Sequence, residues 1–167
     1  MARASQSGAP GTWVLLSYRI PREPSTPRIT IWRKLKRLGV AQISDGLVAL
    51  PADARTREHF DWLADEITSA GGSASIWLAQ PGGRATERDL ASGMAAARAA
   101  EYAKVSAEAT AGANRDETAR LSLARRLRAE LRRIQRRDYF PPAERDHATA
   151  AVEALARPVS DSQELPS

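Results

Sequence analysis

The sequence predicts an α+β protein: a ferredoxin-like βαββαβ domain followed by a C-terminal helical region of about three helices. Three observations carry this. All four tryptophans (Trp13, Trp32, Trp62, Trp77) lie before residue 84, after which the chain is rich in Ala and Arg. Pro81-Gly82-Gly83 marks the change, since such punctuation seldom sits inside an element. Before it, apolar runs of strand length alternate with segments of helical period. The expected layout is a disordered lead-in over 1–11, the ferredoxin-like domain over 12–80, a linker over 81–85, the helical region with its Arg-rich helix over 86–156, and a disordered tail over 157–167.

The elements follow in order. WVLLSYRI, Trp13 to Ile20, is a run of apolar, aromatic and β-branched residues and predicts a strand. Prolines at 21, 24 and 27 follow. Ser25 or Thr26 is suited to cap a helix with Pro27 in its first turn, where a missing N–H costs nothing. Ile31, Leu35 and Leu38, with Trp32 beside them, form its apolar face, and Gly39 ends it. VAQIS and LVALP then flank Asp45-Gly46, a pair that predicts a hairpin through a type I′ turn with two left-handed residues. Phe60, Leu63, Ala64 and Ile67 repeat at helical spacing before Gly71-Gly72, and ASIWLA supplies a fourth strand. Packing two helices on one face of a four-stranded antiparallel sheet is the simplest way to bury these faces. The other face then needs cover from the C-terminal helices or a second copy of the chain.

Thr86 with Asp89 predicts the start of a helix running to about Ala111. A second is expected over about Asp116 to Arg137, stopped at Asp138-Tyr139-Phe140-Pro141-Pro142 because proline cannot continue a helix. A short third covers about Ala143 to Ala156.

Composition limits the chemistry. The chain has 167 residues, 43% of them hydrophobic, enough for one core or one small core with a helical annex. It has no cysteine, which removes disulfides, thiolate catalysis and cysteine-built metal sites. No apolar run approaches the length of a membrane span, and MARASQSGAPG has no apolar signal core, so a cytoplasmic location is expected. The formal net charge of +5 favours polyanionic partners.

That charge is arranged on two helices. On a wheel, Ile31, Leu35 and Leu38 fall together while Arg33, Lys34, Lys36 and Arg37 fill the opposite arc without an acid. An ordinary exposed helix mixes signs, because like charges four apart repel. The later helix repeats the design. Leu123, Leu127, Leu131 and Ile134 form its buried stripe. Arg125, Arg128, Arg132 and Arg136 line one flank, and Arg126, Arg133 and Arg137 the other. Between Arg120 and Arg137 there are eight arginines and one acid, Glu130. Arginine suits bidentate phosphate contacts. A solvated surface of an arginine-rich protein has the same composition, so each arc alone decides little.

Catalytic patterns are missing. His59 lies beside Glu58 and Asp61, and His147 follows Asp146; neither has a triad or paired-carboxylate setting. Glu58, Asp61 and Asp65 on one helix side read as a solvated acidic face before a metal site. The paired glycines precede no phosphate-loop signature. Some ferredoxin-like nucleases carry an aspartate at the end of the first strand; Trp13 to Ile20 contains no acid. No enzyme activity, metal or cofactor is expected. Tyr18 and Trp32 have rings able to stack on bases, but are expected in the core.

WVLLSYRIPREPSTPRITIWRKLKRLGVAQISDGLVALP, with REHFDWLADEITSAGGSASIWLA and RRLRAELRRIQRRDYFPP, resembles the amino-terminal domain of the chromate-resistance regulator family over roughly residues 12 to 156. The resemblance implies a transcriptional regulator of a chromate-efflux operon that binds DNA. Full-length members carry a further carboxy-terminal domain associated with sensing chromate, which this chain is expected to lack. The partners expected are therefore DNA, a separate sensor-domain protein and a second copy of the chain. Charge, not the resemblance, nominates Arg33, Lys34, Lys36, Arg37, Arg125, Arg126, Arg128, Arg132, Arg133, Arg136 and Arg137 for DNA. Two rival readings remain: an interaction module docking the sensor domain, and a chromate or sulfate binder in which Arg19, Arg22 and Arg28 converge.

Overall fold

A computed structural model describes residues 11–158. The lead-in and tail expected to be disordered fall, apart from their inner ends, outside these residues. The element order is β1 (Trp13–Arg19), α1 (Thr26–Leu38), β2 (Ala41–Ser44), β3 (Leu47–Pro51), α2 (Ala54–Ser69), β4 (Ser73–Ala79), α3 (Arg84–Gly112), α4 (Glu117–Gln135) and α5 (Glu144–Ala156). It is a mixed α+β structure with four strands and five helices among the described residues. The chain divides into two compact units, Met1–Met94 and Ala95–Ser167, with the division inside α3.

In the first unit the four strands form one sheet in the order β2-β3-β1-β4, with every neighbouring pair antiparallel. Val14 pairs with Leu50 and Leu78, and Leu16 with Val48 and Ile76, which puts these side chains on one face. Val14, Leu16, Val48 and Leu50 are buried, as are Ile31 and Leu35 of α1 and Phe60, Leu63 and Ile67 of α2. Helical period on the helices and period two on the strands thus supply one core. On the opposite face Trp13 is buried and its indole Nε1 donates to Glu87 Oε1 at 2.9 Å. Trp77, two strand positions from Ala79 and paired with Leu15, stays 58% exposed.

Three local expectations are corrected. Ser25 occupies the N-cap of α1, but its backbone is already helical and its side chain makes no cap bond; the serine oxygen reaches the first turn only from an extended backbone. The Asp45-Gly46 hairpin is not type I′, because Gly46 alone has positive φ (73°) and the register shifts between Gln42 and Ser44. The turn is instead held to β1, where Tyr18 N donates to Gly46 O at 2.8 Å. Trp32 is not a core residue. It is 55% exposed, lying just off the buried Ile31/Leu35 stripe, while Tyr18 is half-buried. At the helix ends, α2 carries a capping box in which Thr56 N donates to Asp53 Oδ1 and Asp53 N to Thr56 Oγ1. Gly39 in the left-handed region ends α1.

The second unit is a helical core. Tyr102, Val105 and Ala109 of α3, Leu123, Ala124, Leu127, Leu131 and Ile134 of α4, and Ala148, Val152 and Leu155 of α5 pack together. Helix α3 starts two residues before Thr86, so that residue lies within its first turn. Helix α4 stops at Gln135, with Arg136 as its C-cap and Arg137 beyond. Arg120, 6% exposed, points inward, and its Nη1 donates to Leu155 O (3.3 Å) and Arg157 O (3.2 Å). The guanidinium thereby satisfies carbonyls at the end of α5 and complements that helix's dipole.

Candidate nucleic-acid interface

The stripe of Leu123, Leu127, Leu131 and Ile134 fixes how α4 rolls on the core. That rotation sends the remaining arginines outward, but not to the same fate. Arg126 pairs with Glu108 of α3, Arg128 with Glu153 of α5 at 3.0 Å, and Arg133 with Glu130 at 2.8 Å. Arg137, only 18% exposed at its side chain, pairs with Glu101, whose other oxygen lies 2.7 Å from Arg98 Nε. Beside this group Tyr102 donates to Asp138 Oδ2 at 2.8 Å, with Arg145 3.9 Å from the same oxygen. Burial and then the Asp138 hydrogen bond raise the Tyr102 phenol above its ordinary range. Hydrogen bonding to their arginines lowers the carboxyls of Glu108 and Glu153, so both are anionic at neutral pH.

Arg125, Arg132 and Arg136 are different. All three are exposed and, among the described residues, take part in no ion pair. Steps of seven and four residues return almost to the same angle at about 100° per residue. The three therefore lie in a single row extending about 16 Å at the usual rise. Along that row the helix presents positive charge that no described residue of the second unit neutralises.

In the first unit the basic arc of α1 is likewise divided. Lys34 Nζ lies 2.6 Å from Glu66 Oε2 of α2, and Lys36 Nζ sits 4.3 Å from the centroid of the Trp32 ring. Arg33 and Arg37 are exposed with no ion-pair partner among the described residues. Of the eleven basic residues expected at DNA, five (Lys34, Arg126, Arg128, Arg133, Arg137) are thus paired within the chain.

Of the three arginines expected to converge on an oxyanion, Arg19 and Arg28 do line one open depression of about 990 Å³, while Arg22 is not part of its lining. Arg33 takes part instead, together with Tyr18, Trp32, Gln42 and Asp45. This grouping was not legible in sequence, since the end of β1, the first turns of α1 and the β2–β3 hairpin meet only in the folded sheet. The acids that neutralise Arg126, Arg128 and Arg137 also come from other helices. Among the described residues no group of three His, Asp or Glu side chains is placed to hold a metal ion, and no helix is long and apolar enough to cross a membrane.

Comparison with known proteins gives two matches. The family model described as "Protein ChrB, N-terminal" matches residues 28–165. Protein ChrB of Cupriavidus metallidurans is 28% identical over 133 residues, a match covering 77% of this chain and 40% of that protein. The chain thus spans less than half the length of that curated relative. No solved structure matches.

Proposed function

The chain belongs to the ChrB amino-terminal family, and on that premise we propose that it is a non-enzymatic, cytoplasmic DNA-binding regulator of chromate resistance. We further read the βαββαβ order and the β2-β3-β1-β4 sheet as a ferredoxin-like first domain. The observation that carries the reading of function is the row Arg125, Arg132 and Arg136, exposed and unpaired among the described residues on a helix whose Arg126, Arg128 and Arg133 are ion-paired. Such a row supplies phosphate contacts, which give affinity and register with little sequence information. Arg33 and Arg37 add a second patch of the same chemistry. The test is fluorescence anisotropy of the full chain against its own upstream duplex and a scrambled duplex of equal length. The reading expects tighter binding to the native duplex at both low and physiological salt. Equal, salt-sensitive binding to the two would leave a basic surface without a regulatory role.

A second reading is favoured by a separate observation. Trp77, on the sheet face opposite Val14 and Leu16 and paired with Leu15, is more than half exposed, and exposed aromatic side chains are enriched at protein contact surfaces. On this reading the chain also docks a sensor domain or a second copy of itself. Its sign is a stable complex by sedimentation in the absence of DNA.

A further inference from the structure

The depression at the open end of the first-unit sheet holds an unusual set of groups for a solvated surface. Arg19 ends β1, Arg28 and Arg33 stand on successive turns of α1, and none has an ion-pair partner among the described residues. Three guanidiniums without such a partner thus line one concave surface beside a single acid, Asp45, an excess of positive charge suited to a phosphate. Trp32 lies among them with its indole more than half exposed, although burying that ring would remove a large apolar area from water. Lys36 sits over one face of the ring, which leaves the other face of the indole for a second partner.

We propose that this depression binds a nucleotide unit, with the phosphate on Arg19, Arg28 and Arg33 and the base against Trp32.

Size and charge separate this ligand from a bare oxyanion. The volume of about 990 Å³ far exceeds that of one tetrahedral ion and lies at the upper end of ordinary small-ligand pockets. The lining also includes Asp45, which would repel a lone oxyanion but can accept from the exocyclic amine of a base. Gln42 donates its amide nitrogen to Ser44 O at 2.6 Å, which leaves its side-chain oxygen as a second acceptor. Tyr18 completes the set. Burial, and after it the Asp45 charge, raise its phenol above the ordinary value against the opposing effect of Arg28. The hydroxyl therefore keeps its proton at neutral pH and can donate to a phosphate oxygen. The site belongs to the first unit and does not depend on the α4 row; Arg33 alone is common to it and the proposed DNA patches.

Isothermal titration of the full chain with AMP, ribose 5-phosphate and inorganic phosphate tests the proposal. AMP should bind about tenfold or more tightly than either fragment that lacks the base, the range expected for stacking one base on an aromatic side chain. Trp32→Ala should remove that advantage and leave inorganic phosphate binding unchanged. Arg28→Gln should weaken AMP and inorganic phosphate together. Both side chains are exposed, and unchanged far-UV circular dichroism would show that the variants fold. A single-stranded deoxyadenosine hexamer, titrated into the Arg125→Ala, Arg132→Ala, Arg136→Ala variant so that the α4 row does not contribute, identifies the source: tighter binding than AMP that is lost with Trp32→Ala points to an unstacked nucleotide in a strand, and weaker binding to a free nucleotide. The Arg125→Ala, Arg132→Ala, Arg136→Ala variant should bind AMP as the parent does, which separates this site from duplex binding. AMP bound no better than phosphate, or unaffected by Trp32→Ala, would overturn the proposal.

Discussion

The difference between Arg120, Arg137 and Arg132 shows why a count of arginines says little until each one's surroundings are known. Arg120 is buried and hydrogen-bonds the last carbonyls of α5. Replacing it with Met should cost about 2 kcal/mol in chemical denaturation, the range for hydrogen bonds made by a charged group. Arg137 is bound to Glu101 beside the Tyr102–Asp138 hydrogen bond. Tyr102→Phe should cost about 1–2 kcal/mol at pH 7, because it leaves a buried carboxylate oxygen without its donor. The same phenol gives a pH signature. Its folded pKa is raised above the ordinary value of 10.0, so the native state holds the proton more tightly than the unfolded chain. Its contribution is full below about pH 10 and is lost as pH rises further. Tyr102→Phe should therefore flatten the decline of stability on the alkaline side. A parent and variant that decline in parallel would show that Tyr102 does not carry that dependence.

At the scale of elements, the strands and helices were legible because their periods are clean. Val14/Leu16 and Val48/Leu50 alternate, and Leu123, Leu127, Leu131 and Ile134 recur at helical spacing. What failed was conformation set by neighbours. The Asp45-Gly46 pair suggested two left-handed residues, whereas the turn uses one and leans on β1. A Cβ at Gly46 would lie 2.5 Å from Tyr18 O as well as in a positive-φ position. Gly46→Ala should accordingly cost about 2 kcal/mol or more, read as a lowered denaturation midpoint. Trp32 failed as a core residue for a related reason: the wheel places it next to the buried Ile31/Leu35 stripe, but how far cover extends around the helix is decided by the elements packed on it. On α4 the buried face was legible while the neutralising acids were not, since Glu108 and Glu153 belong to other helices. This has a measurable consequence. Glu153→Gln should release Arg128, tighten binding to duplex DNA and steepen its salt dependence by about one unit of slope, the value for one further neutralised phosphate. Unchanged affinity would place Arg128 away from the DNA.

For the whole molecule, composition and resemblance reached further than geometry could. The motifs from YRIPREPS to RRDYFPP pointed to the family that the comparison identifies over residues 28–165, and the basic balance to polyanionic partners. They did not distinguish which basic groups remain available, because availability is decided by packing in each unit separately. The central claim is that the available row on α4 meets phosphates. Its most direct test is the salt dependence of binding to the upstream duplex, for the parent and for two triple variants. Replacing Arg125, Arg132 and Arg136 with Ala should weaken binding and reduce the slope of log affinity against log salt by about 2.7, or roughly 0.9 for each phosphate no longer neutralised. Replacing the paired Arg126, Arg128 and Arg133 with Ala should change the slope by less than half as much. Equal slopes for the parent and the Arg125/Arg132/Arg136 variant would contradict the claim.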